Sequence, residues 1–493
     1  MDQISWVVVY PEIALLVMTC VIALADTTLK ASSRPLTFTL TLLTLAGVAL
    51  LQAVYATQGQ VLYGFGTMVV SDPMGNWLKC FAALAVMLTL IYGRSYAKSR
   101  EMLRGGEMYT LSLFALLGMF VMISGHNFLV LYMGLELLTL SSYALVALRR
   151  DNVRASEAAM KYFVLGAMAS GFLLYGLSML YGATGSLDLA EVSSRLARTD
   201  VDHRVLALGV VFVVAGLAFK LGAAPFHSWV PDVYDGAPTA VTLLIAAAPK
   251  LAAFAIVMRL LVGGMLPMVA DWQQMVTLLA VASLIVGNLA AIAQTSFKRM
   301  LAFSTISQMG FVLLGLAGGV IGTDASNAAN AYSATMFYVV TYVLTTLATF
   351  GVMLVMSREG FEADQISDFA GLNRRSPLLA GIVAACMFSL AGVPPLVGFY
   401  AKLSVLQALL ASGNEVLLWV AVAAVLLSLI GAFPYLRLIK VMYFDAPTDG
   451  LPVGGPRYAH RVLTLNVVLM LALGLLPGGL MTLCAQSIAR LLA

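Results

Sequence analysis

The chain is poor in charged residues. Of its 493 residues, 11% are Asp, Glu, Lys or Arg, whereas a soluble domain has about 25%. Hydrophobic residues make up 61% of the chain, and the mean hydropathy is +0.94. This composition excludes a soluble protein and predicts a membrane protein throughout. The residue alternation typical of a membrane β-barrel is absent, so the spans are predicted to be helices.

Cysteine is scarce, and the motifs of redox and nucleotide chemistry are missing. None of the four cysteines forms a CxxC pair, so neither a metal site nor a disulfide framework is predicted (Cys20, Cys80, Cys386, Cys484). There is no CxxCH, no GxGxxG after a strand and no P-loop. The start, MDQISWVVVYPEIALL, has no basic segment before its apolar run. A cleavable signal peptide is therefore not expected, and the first span is predicted to remain as an anchor.

Long apolar runs are what the chain has in abundance. A membrane span needs roughly 20 apolar residues, and by that criterion the sequence contains about fourteen. The loops between them are too short for a soluble domain, so we predict an all-α polytopic membrane protein. The predicted spans are 4–25, 36–57, 73–93, 108–124, 127–148, 158–182, 205–223, 238–262, 272–294, 300–320, 331–356, 377–410, 415–443 and 461–483.

Positive charges are unevenly distributed among the loops. The even-numbered loops are nearly free of them apart from the sixth, and the seventh loop has only acidic residues. By the positive-inside rule the odd loops face the cytoplasm, and an even number of spans then places both termini on the periplasmic side. The basic residues behind this prediction are Lys30, Arg34, Arg94, Lys98, Arg100, Arg104, Arg149, Arg150, Arg154, Lys298, Arg299, Arg358, Arg374, Arg375 and Arg457, against Arg195, Arg198 and Arg204 in the sixth loop.

Four charges lie inside apolar segments, where each costs roughly 2.5–3.5 kcal/mol near the bilayer centre. They are Glu136, Lys220, Lys250 and Lys402. A lysine near the end of a span can extend its ammonium to the interface. This alternative is weakest for Lys250, which is roughly 17 Å from either end of its predicted span. Glu136 is either a neutral hydrogen-bonded acid or the partner of a buried lysine, and we expect it to pair with Lys220.

A fifth lysine, Lys161, also follows the start of an apolar segment. It lies four residues after Glu157 and near the basic end of its span. From the residues alone we interpret it as a local ion-pair residue or one that reaches the interface.

Proline and glycine interrupt the apolar segments at two places, 222–238 and 392–398. As one straight helix, 377–410 would be about 51 Å long, far more than the ~30 Å hydrocarbon core, so it is predicted to tilt strongly or break. Each break lies late in a block of five spans, which predicts inverted repeats with one broken helix each. The alternative is coincidence among 42 glycines and 16 prolines. The predicted divisions are 1–107, 108–265, 266–445 and 446–493.

These features favour proton transfer. Burial disfavours the charged form of a lysine and a nearby carboxylate favours it, so a lysine–carboxylate pair of variable separation can change its proton affinity. Pro225 and Gly222 free backbone carbonyls beside Lys220, and in hydrocarbon only water or protein can satisfy them. His227 follows and can relay protons near neutral pH.

The motif residues resemble one family. FKLGAAPFHSWVPDVYDGAPTAVT (219–242) is similar to the signature of the antiporter-like subunits of respiratory complex I, and most of all to those of the N type. KYFVLGAMASGFLLYGLSMLYGATGSLDL, LAFSTISQMGFVLLGL and SLAGVPPLVGFYAKL are similar as well, so the resemblance covers about 108–445. It implies fourteen helices with two inverted five-helix repeats, in the inner membrane of a bacterium.

The resemblance also implies roles for individual residues. Proton-transfer groups are expected at the positions of Glu136, Lys161, Lys220, Lys250, Lys402 and His227. No cofactor is implied in this chain. NADH, FMN, iron–sulfur clusters and quinone are expected in partner subunits, and the other membrane subunits of complex I, including the M type, are the expected partners. Two alternatives are a subunit of an Mrp-type cation/proton antiporter and, more distantly, a free-standing solute transporter.

Overall fold

The computed structural model describes residues 3–29, 34–197, 203–322, 324–447 and 455–492. Lys30 and Arg198, which contribute to the loop-charge prediction, and the chain ends 1–2 and 493 lie outside these ranges. The described residues are almost entirely helical. The helices are α1 (Gln3–Thr28), α2 (Pro35–Gln58), α3 (Pro73–Ser99), α4 (Glu107–Ser124), α5 (Phe128–Val146), α6 (Val153–Thr184), α7 (Leu189–Leu196), α8 (His203–Leu221), α9 (Trp229–Gly236), α10 (Thr239–Ala246), α11 (Ala248–Val257), α12 (Val269–Ile292), α13 (Phe297–Ala317), α14 (Ala328–Met356), α15 (Leu372–Arg375), α16 (Pro377–Ala391), α17 (Val397–Ala411), α18 (Glu415–Gly431), α19 (Phe433–Phe444), α20 (Arg457–Leu475) and α21 (Gly478–Leu492).

The membrane spans agree with the sequence. Within the described ranges, 13 helices are long and apolar enough to cross a membrane. Helices α16 and α17 are shorter apolar helices that together occupy the predicted twelfth span, 377–410. Counted as one broken span, they bring the number to the predicted fourteen. The all-α polytopic fold is thereby confirmed.

One predicted span is more irregular than its sequence suggested. The segment 238–262 contains α10 and α11, which meet at Ala247 with φ −104° and ψ −88°. Pro249 follows at once and has no N–H to donate into the preceding turn. A π-helical turn, Met258–Gly264, then ends the span, and a 3₁₀ turn, Leu266–Met268, leads into α12.

Two breaks have the same construction. Gly222 ends α8 and Gly392 ends α16, each in the left-handed conformation, with φ +79° and +87°. In the first break the N–H groups of Gly222 and Ala223 both donate to Ala218 O. In the second, Gly392 and Val393 donate in the same way to Phe388 O. A cis proline bond follows in each, at Pro225 and at Pro395. Both predicted breaks are therefore present, whereas the division into inverted repeats stays a prediction.

A small sheet and short bridges join the loops at one end of the bundle, here called the hairpin end. Strands β1 (Leu62–Gly64) and β2 (Val69–Ser71) pair antiparallel. Isolated bridges connect Val69 to Gly125 and Asn127 to Asp188. At the opposite end Ser296 bridges to Gln365. The 3₁₀ turn Ile366–Phe369 and α15 lie in the same connection.

The core is a group of helices buried on all sides. In the most apolar windows of Thr239–Gly264 and Phe297–Ala317, 94% of residues are buried, against 22% for Glu415–Phe444. Small residues bring neighbouring helices together, because a Cβ added at Gly118 in α4 would lie 2.4 Å from the backbone nitrogen of Leu138 in α5. Such contacts let membrane helices pack closely without a hydrophobic driving force. They also fix α5, which contains Glu136.

Candidate functional site

Lys250 lies at the first break. Its side chain is 1% exposed, and its ammonium donates to Leu221 O at 2.9 Å and Lys220 O at 3.5 Å. These are the last carbonyls of α8, which have no partner within the helix. The ammonium also lies over the Trp229 ring, 5.6 Å from its centroid. Lys250 therefore does not extend to an interface, and it supplies a protein partner for the freed carbonyls.

Lys402 makes the same contacts at the second break. Its ammonium donates to Leu390 O at 2.9 Å and Ala391 O at 3.1 Å, the last two carbonyls of α16. It also donates to Ser428 Oγ at 2.8 Å and lies 5.2 Å from the centroid of the Phe311 ring. The carbonyl end of a helix is the negative end of its dipole. Both lysines thus hold their charge against a half-helix that ends inside the protein.

Glu136 and Lys220 are close to the first break but do not touch each other. The expected ion pair is absent: Lys220 Nζ and Glu136 Oε1 are buried without a hydrogen-bond partner among the described residues. A cavity takes the place of a direct contact, because Leu135 and Thr139 of α5 line the same cavity as Lys220. The buried Nζ also argues against an interfacial position for Lys220. A cavity beside it is lined by Lys220, Lys250, Thr139, Ser142, Tyr162, Phe219 and Trp229.

His227 lies in the linker between α8 and α9. Its ring is half-buried, and Nδ1 has no partner among the described groups. The linker is held at Ala224, whose N–H donates to Ser283 Oγ at 2.9 Å, and at Trp229, whose indole N–H donates to Phe219 O at 3.0 Å. The imidazole is therefore beside the break on a fixed backbone, and its role in proton transfer stays a prediction.

Lys161 belongs to a different group, at the end opposite the hairpin. Its ammonium is 2.9 Å from Glu157 Oε1 and 3.1 Å from Asp232 Oδ2. Arg299 binds the other oxygen of Asp232 at 2.9 Å. With 45% of its side chain exposed, Lys161 matches the local ion-pair interpretation. These side chains border an open cavity that also includes Arg154 and Asp235.

A row of uncharged polar side chains on α13 and α14 leads to the second break, and the sequence analysis missed it. The hydroxyl of Tyr342 donates to Thr305 Oγ1 at 2.9 Å, and that of Tyr338 donates to Gln308 Oε1. Gln308 Nε2 donates at 3.1 Å to Leu390 O, which also accepts from the Lys402 ammonium. Tyr342 lines two separate cavities. The signal was available, because polar residues recur at helical spacing on one face of α14 (Tyr338, Tyr342, Thr345, Thr349).

The count of four interior charges was too low. Glu12 and Lys79 form a buried ion pair at 2.6 Å, and Ser124 Oγ donates to the same carboxylate oxygen at 2.7 Å. Pro11-Glu12 within the first apolar run and a lysine in the third were the available signals. Single charges stood out in the sequence, but a pair on distant spans can only be identified in three dimensions.

A second missed pair joins the eighth span to α3. The guanidinium of Arg259, in the π-helical turn, binds both oxygens of Asp72 at 2.6 and 2.9 Å. Its Nε donates to Ile123 O at 3.3 Å. In the nearby loop, burial and then the charge of Arg259 lower the pKa of His126, which favours the neutral imidazole. The pair attaches the end of the Lys250 span to the hairpin end.

A third missed cluster surrounds Glu362. Its carboxylate accepts hydrogen bonds from Tyr96 at 2.7 Å and Thr239 at 2.6 Å. It also lies 3.2 Å from Arg100 and 3.6 Å from the buried Lys298. The cluster joins α3, α10 and α13 at the end opposite the hairpin. Among the residues that the structure describes, no group of three or more His, Cys, Asp or Glu side chains is placed to hold a metal ion.

Comparison with known proteins places these features in a family. A family model described as NADH:quinone oxidoreductase/Mrp antiporter, transmembrane, matches residues 125–430. NADH-quinone oxidoreductase subunit N of Polaromonas naphthalenivorans is 66% identical over 489 residues, which cover 99% of this chain and 98% of the relative. The protein of the same name from Herminiimonas arsenicoxydans is 58% identical, with full coverage of both chains.

Solved structures agree. A chain of respiratory complex I from Thermus thermophilus with bound aureothin is 34% identical, with a TM-score of 0.80 and coverage of 96% of this chain and 99% of that one. A chain of the Mrp complex from Dietzia sp. has a TM-score of 0.82 at 22% identity, covering 100% and 98%, and shows the shared fold alone. The full-length identity to the named relatives is decisive: the chain belongs to the subunit N family of NADH-quinone oxidoreductases.

Proposed function

We propose that this chain is a proton-translocating membrane subunit of an NADH-quinone oxidoreductase. The observation that carries the proposal is the pair of lysines that close two broken helices inside the protein, Lys250 and Lys402, with a polar row that reaches Lys402. NADH oxidation, FMN, the iron–sulfur clusters and quinone reduction belong to partner subunits. Within the membrane, the partners of this chain are the other membrane subunits of complex I, including the M type.

The proton moves along groups that can each bind and release it. The negative charge of Glu136 favours the protonated form of Lys220. The cavity beside Lys220 has room for the water that would connect it to Lys250. His227 supplies an additional proton-binding group at the break. A protonated lysine passes its proton to water or to a hydroxyl and is left as a neutral amine, ready to accept the next one. Lys161, near the start of α6, is proposed as a further proton-transfer group at the end of the bundle opposite the hairpin.

The polar row links Lys250 to Lys402. Hydroxyl groups both donate and accept, so Thr305, Tyr342 and Tyr338 can pass a proton onward by reorienting after each transfer. Gln308 does not titrate, but it fixes Tyr338 and shares Leu390 O with the Lys402 ammonium. Lys402 is then the terminal group of the row.

The proposal also includes the membrane orientation of the chain and its division into repeats. The chain resides in the bacterial inner membrane with both termini on the periplasmic side, as its loop charges predict. Residues 108–265 and 266–445 are proposed as inverted five-helix repeats, between the three helices of 1–107 and the C-terminal part 446–493. The matching caps at Gly222 and Gly392 support this division. Each repeat contains one helix that ends at a glycine–proline break, a feature of many ion transporters.

Replacing Lys250 tests the proposal. In purified complex reconstituted into vesicles, Lys250→Ala should slow proton transfer through this subunit by about 10²- to 10⁴-fold, the usual contribution of a positioned proton-transfer group. The measurement is the number of protons moved per NADH oxidised. Lys440→Ala is the matched control, because Lys440 is 63% exposed and pairs only with Asp445 in the described structure. An unchanged ratio for Lys250→Ala would exclude the lysine row as the proton path.

A subunit of an Mrp-type cation/proton antiporter is the second candidate. The description of the matching family model includes Mrp antiporters, and the fold is shared with an Mrp complex chain. Purification from native membranes separates the two. Co-migration of the chain with NADH dehydrogenase activity supports the first proposal, and migration with a set of antiporter subunits supports the second.

A further inference from the structure

The Lys402 ammonium has one contact that neither the break nor the polar row explains. Two of its acceptors are carbonyls of the broken helix, and the third is the hydroxyl of Ser428 at 2.8 Å. Ser428 belongs to α18, on the far side of Lys402 from the polar row. Helix α18 packs against α12 and α17, with most of its surface facing outward. The contact therefore leads away from the centre of the protein.

Beyond Ser428 the interface between α12 and α18 remains polar. Asn288 of α12 is 5% exposed, and its Nδ2 is buried without a partner among the described residues. Its amide lies over Gly431, where an added Cβ would be 2.2 Å from Asn288 Oδ1. Gly431 is three residues after Ser428, so both lie on the same face of α18. A buried amide with an unused donor is thus one helical turn from the Ser428 hydroxyl.

The same interface ends at Arg437, in the next helix. Its guanidinium donates to Ile292 O at 2.8 Å and Gln294 O at 2.5 Å, the carbonyls at the end of α12. Ile292 is four residues after Asn288, one turn along the same face. Because arginine is always charged, Arg437 does not relay protons but fixes α19 to the end of α12. The polar groups therefore form a line from Lys402 to the end of the bundle opposite the hairpin.

We propose that Ser428, together with water held by Asn288, connects Lys402 to solvent at the end where α12 terminates. This inference rests on the proposed function. The Ser428 hydroxyl gives its proton to the neutral Lys402 amine while its oxygen takes a proton from water on the other side. The hydroxyl then reorients, so no net bond changes at Ser428. Asn288 positions the water, because its amide both donates and accepts.

Gly431 is also explained by this arrangement. A side chain there would occupy the space of the Asn288 amide, so glycine keeps room for the amide and its water. The alternative is that Ser428 only stabilises the Lys402 side chain. In that case removing the hydroxyl would change stability and assembly, whereas displacing Asn288, which makes no hydrogen bond to Lys402 among the described residues, would leave proton transfer intact.

Variants of the whole complex in vesicles test the proposal, with protons moved per NADH and NADH oxidation rate as separate readouts. Ser428→Ala should lower the proton ratio as far as Lys402→Ala does, with NADH oxidation retained. Ser428→Thr keeps a hydroxyl and should restore most of the ratio. Gly431→Ala should lower it by displacing Asn288. The matched control is Ser404→Ala in α17, because the Ser404 hydroxyl donates only within its own helix, to Ala401 O at 2.9 Å.

The outcomes separate this inference from the proposed function. If Lys402→Ala moves protons like the wild type, the proposed function itself fails. If Lys402→Ala moves fewer protons per NADH while Ser428→Ala and Gly431→Ala move as many as the wild type, only the route along α12 and α18 is wrong. Should Ser428→Ala not assemble, Gly431→Ala and Asn288→Leu decide, and a normal ratio in both overturns the proposal.

Discussion

Lys250 and Lys402 show how a costly charge is held inside a membrane protein. Each ammonium donates to the last carbonyls of a half-helix and lies over an aromatic ring. These lysines could be predicted because a charge interrupts an apolar run. The polar row is harder to identify, because Thr305 or Tyr342 alone is ordinary in a span and only the helical spacing along α14 indicates a row. Ser428 was hidden for the same reason, since only its contact with Lys402 distinguishes it.

Glu136 is expected to act through its charge, at a distance from Lys220. Glu136→Gln removes the charge and should lower the proton ratio with the complex still assembled, whereas Glu136→Asp keeps the charge and should be milder. The measurement is again protons moved per NADH in vesicles. Wild-type proton transfer by Glu136→Gln would limit this carboxyl to a structural role.

Among the elements, the Lys250 span differs most from a regular helix. The sequence predicted one span at 238–262, but the structure divides it at Ala247 and ends it with a π-helical turn. Pro249 was visible in the sequence, yet a proline in an apolar run is tolerated in membrane helices when neighbours satisfy the freed groups. Strands β1 and β2 were not predicted because three-residue strands leave no periodicity to detect. The glycine–proline breaks were predictable because their cause is local.

The Asp72–Arg259 pair is expected to stabilise the end of that span. Asp72→Ala leaves the buried guanidinium without its carboxylate and should cost about 3–5 kcal/mol, as when one partner of a buried pair is lost. The double variant Asp72→Leu with Arg259→Met removes both charges and should be markedly more stable than Asp72→Ala. Thermal unfolding of the detergent-solubilised complex measures both. An equal loss of stability in Asp72→Ala and in the double variant would mean that the charges of the pair contribute little.

The molecule as a whole combines a buried set of helices with an outer set exposed to lipid or partners. Helices α13 and α14 are enclosed, while α18 to α20 present most of their surface outward. Hydropathy predicts both sets as spans, because every helix that crosses the hydrocarbon core needs about the same length of apolar sequence. It cannot tell which spans are central, since that depends on packing between distant segments. The Glu12–Lys79 pair illustrates this limit, because its two residues are on the first and third spans.

The orientation of the molecule is predicted by its loop charges and can be measured directly. A reporter fused after Ala493 should be active only if it functions in the periplasm, such as an alkaline phosphatase. A fluorescent protein that folds only in the cytoplasm should stay dark at the same site. The reverse pattern would show that the orientation or the number of spans is wrong. A fusion in the loop at Arg149 is the control, because that loop is predicted to face the cytoplasm.

The closure of a broken helix by a lysine links the proton to the flexibility of the backbone. A neutral amine still donates hydrogen bonds, but it loses the attraction between a positive charge and the carbonyl end of a helix, which is worth about 0.3–2 kcal/mol. Each time Lys250 or Lys402 gives up its proton, the adjoining half-helix is held less firmly and water gains easier access to its carbonyls. Proton transfer would thereby control access along its own path: the half-helix beside the deprotonated lysine loosens, and the half-helix beside the newly protonated lysine is held more firmly.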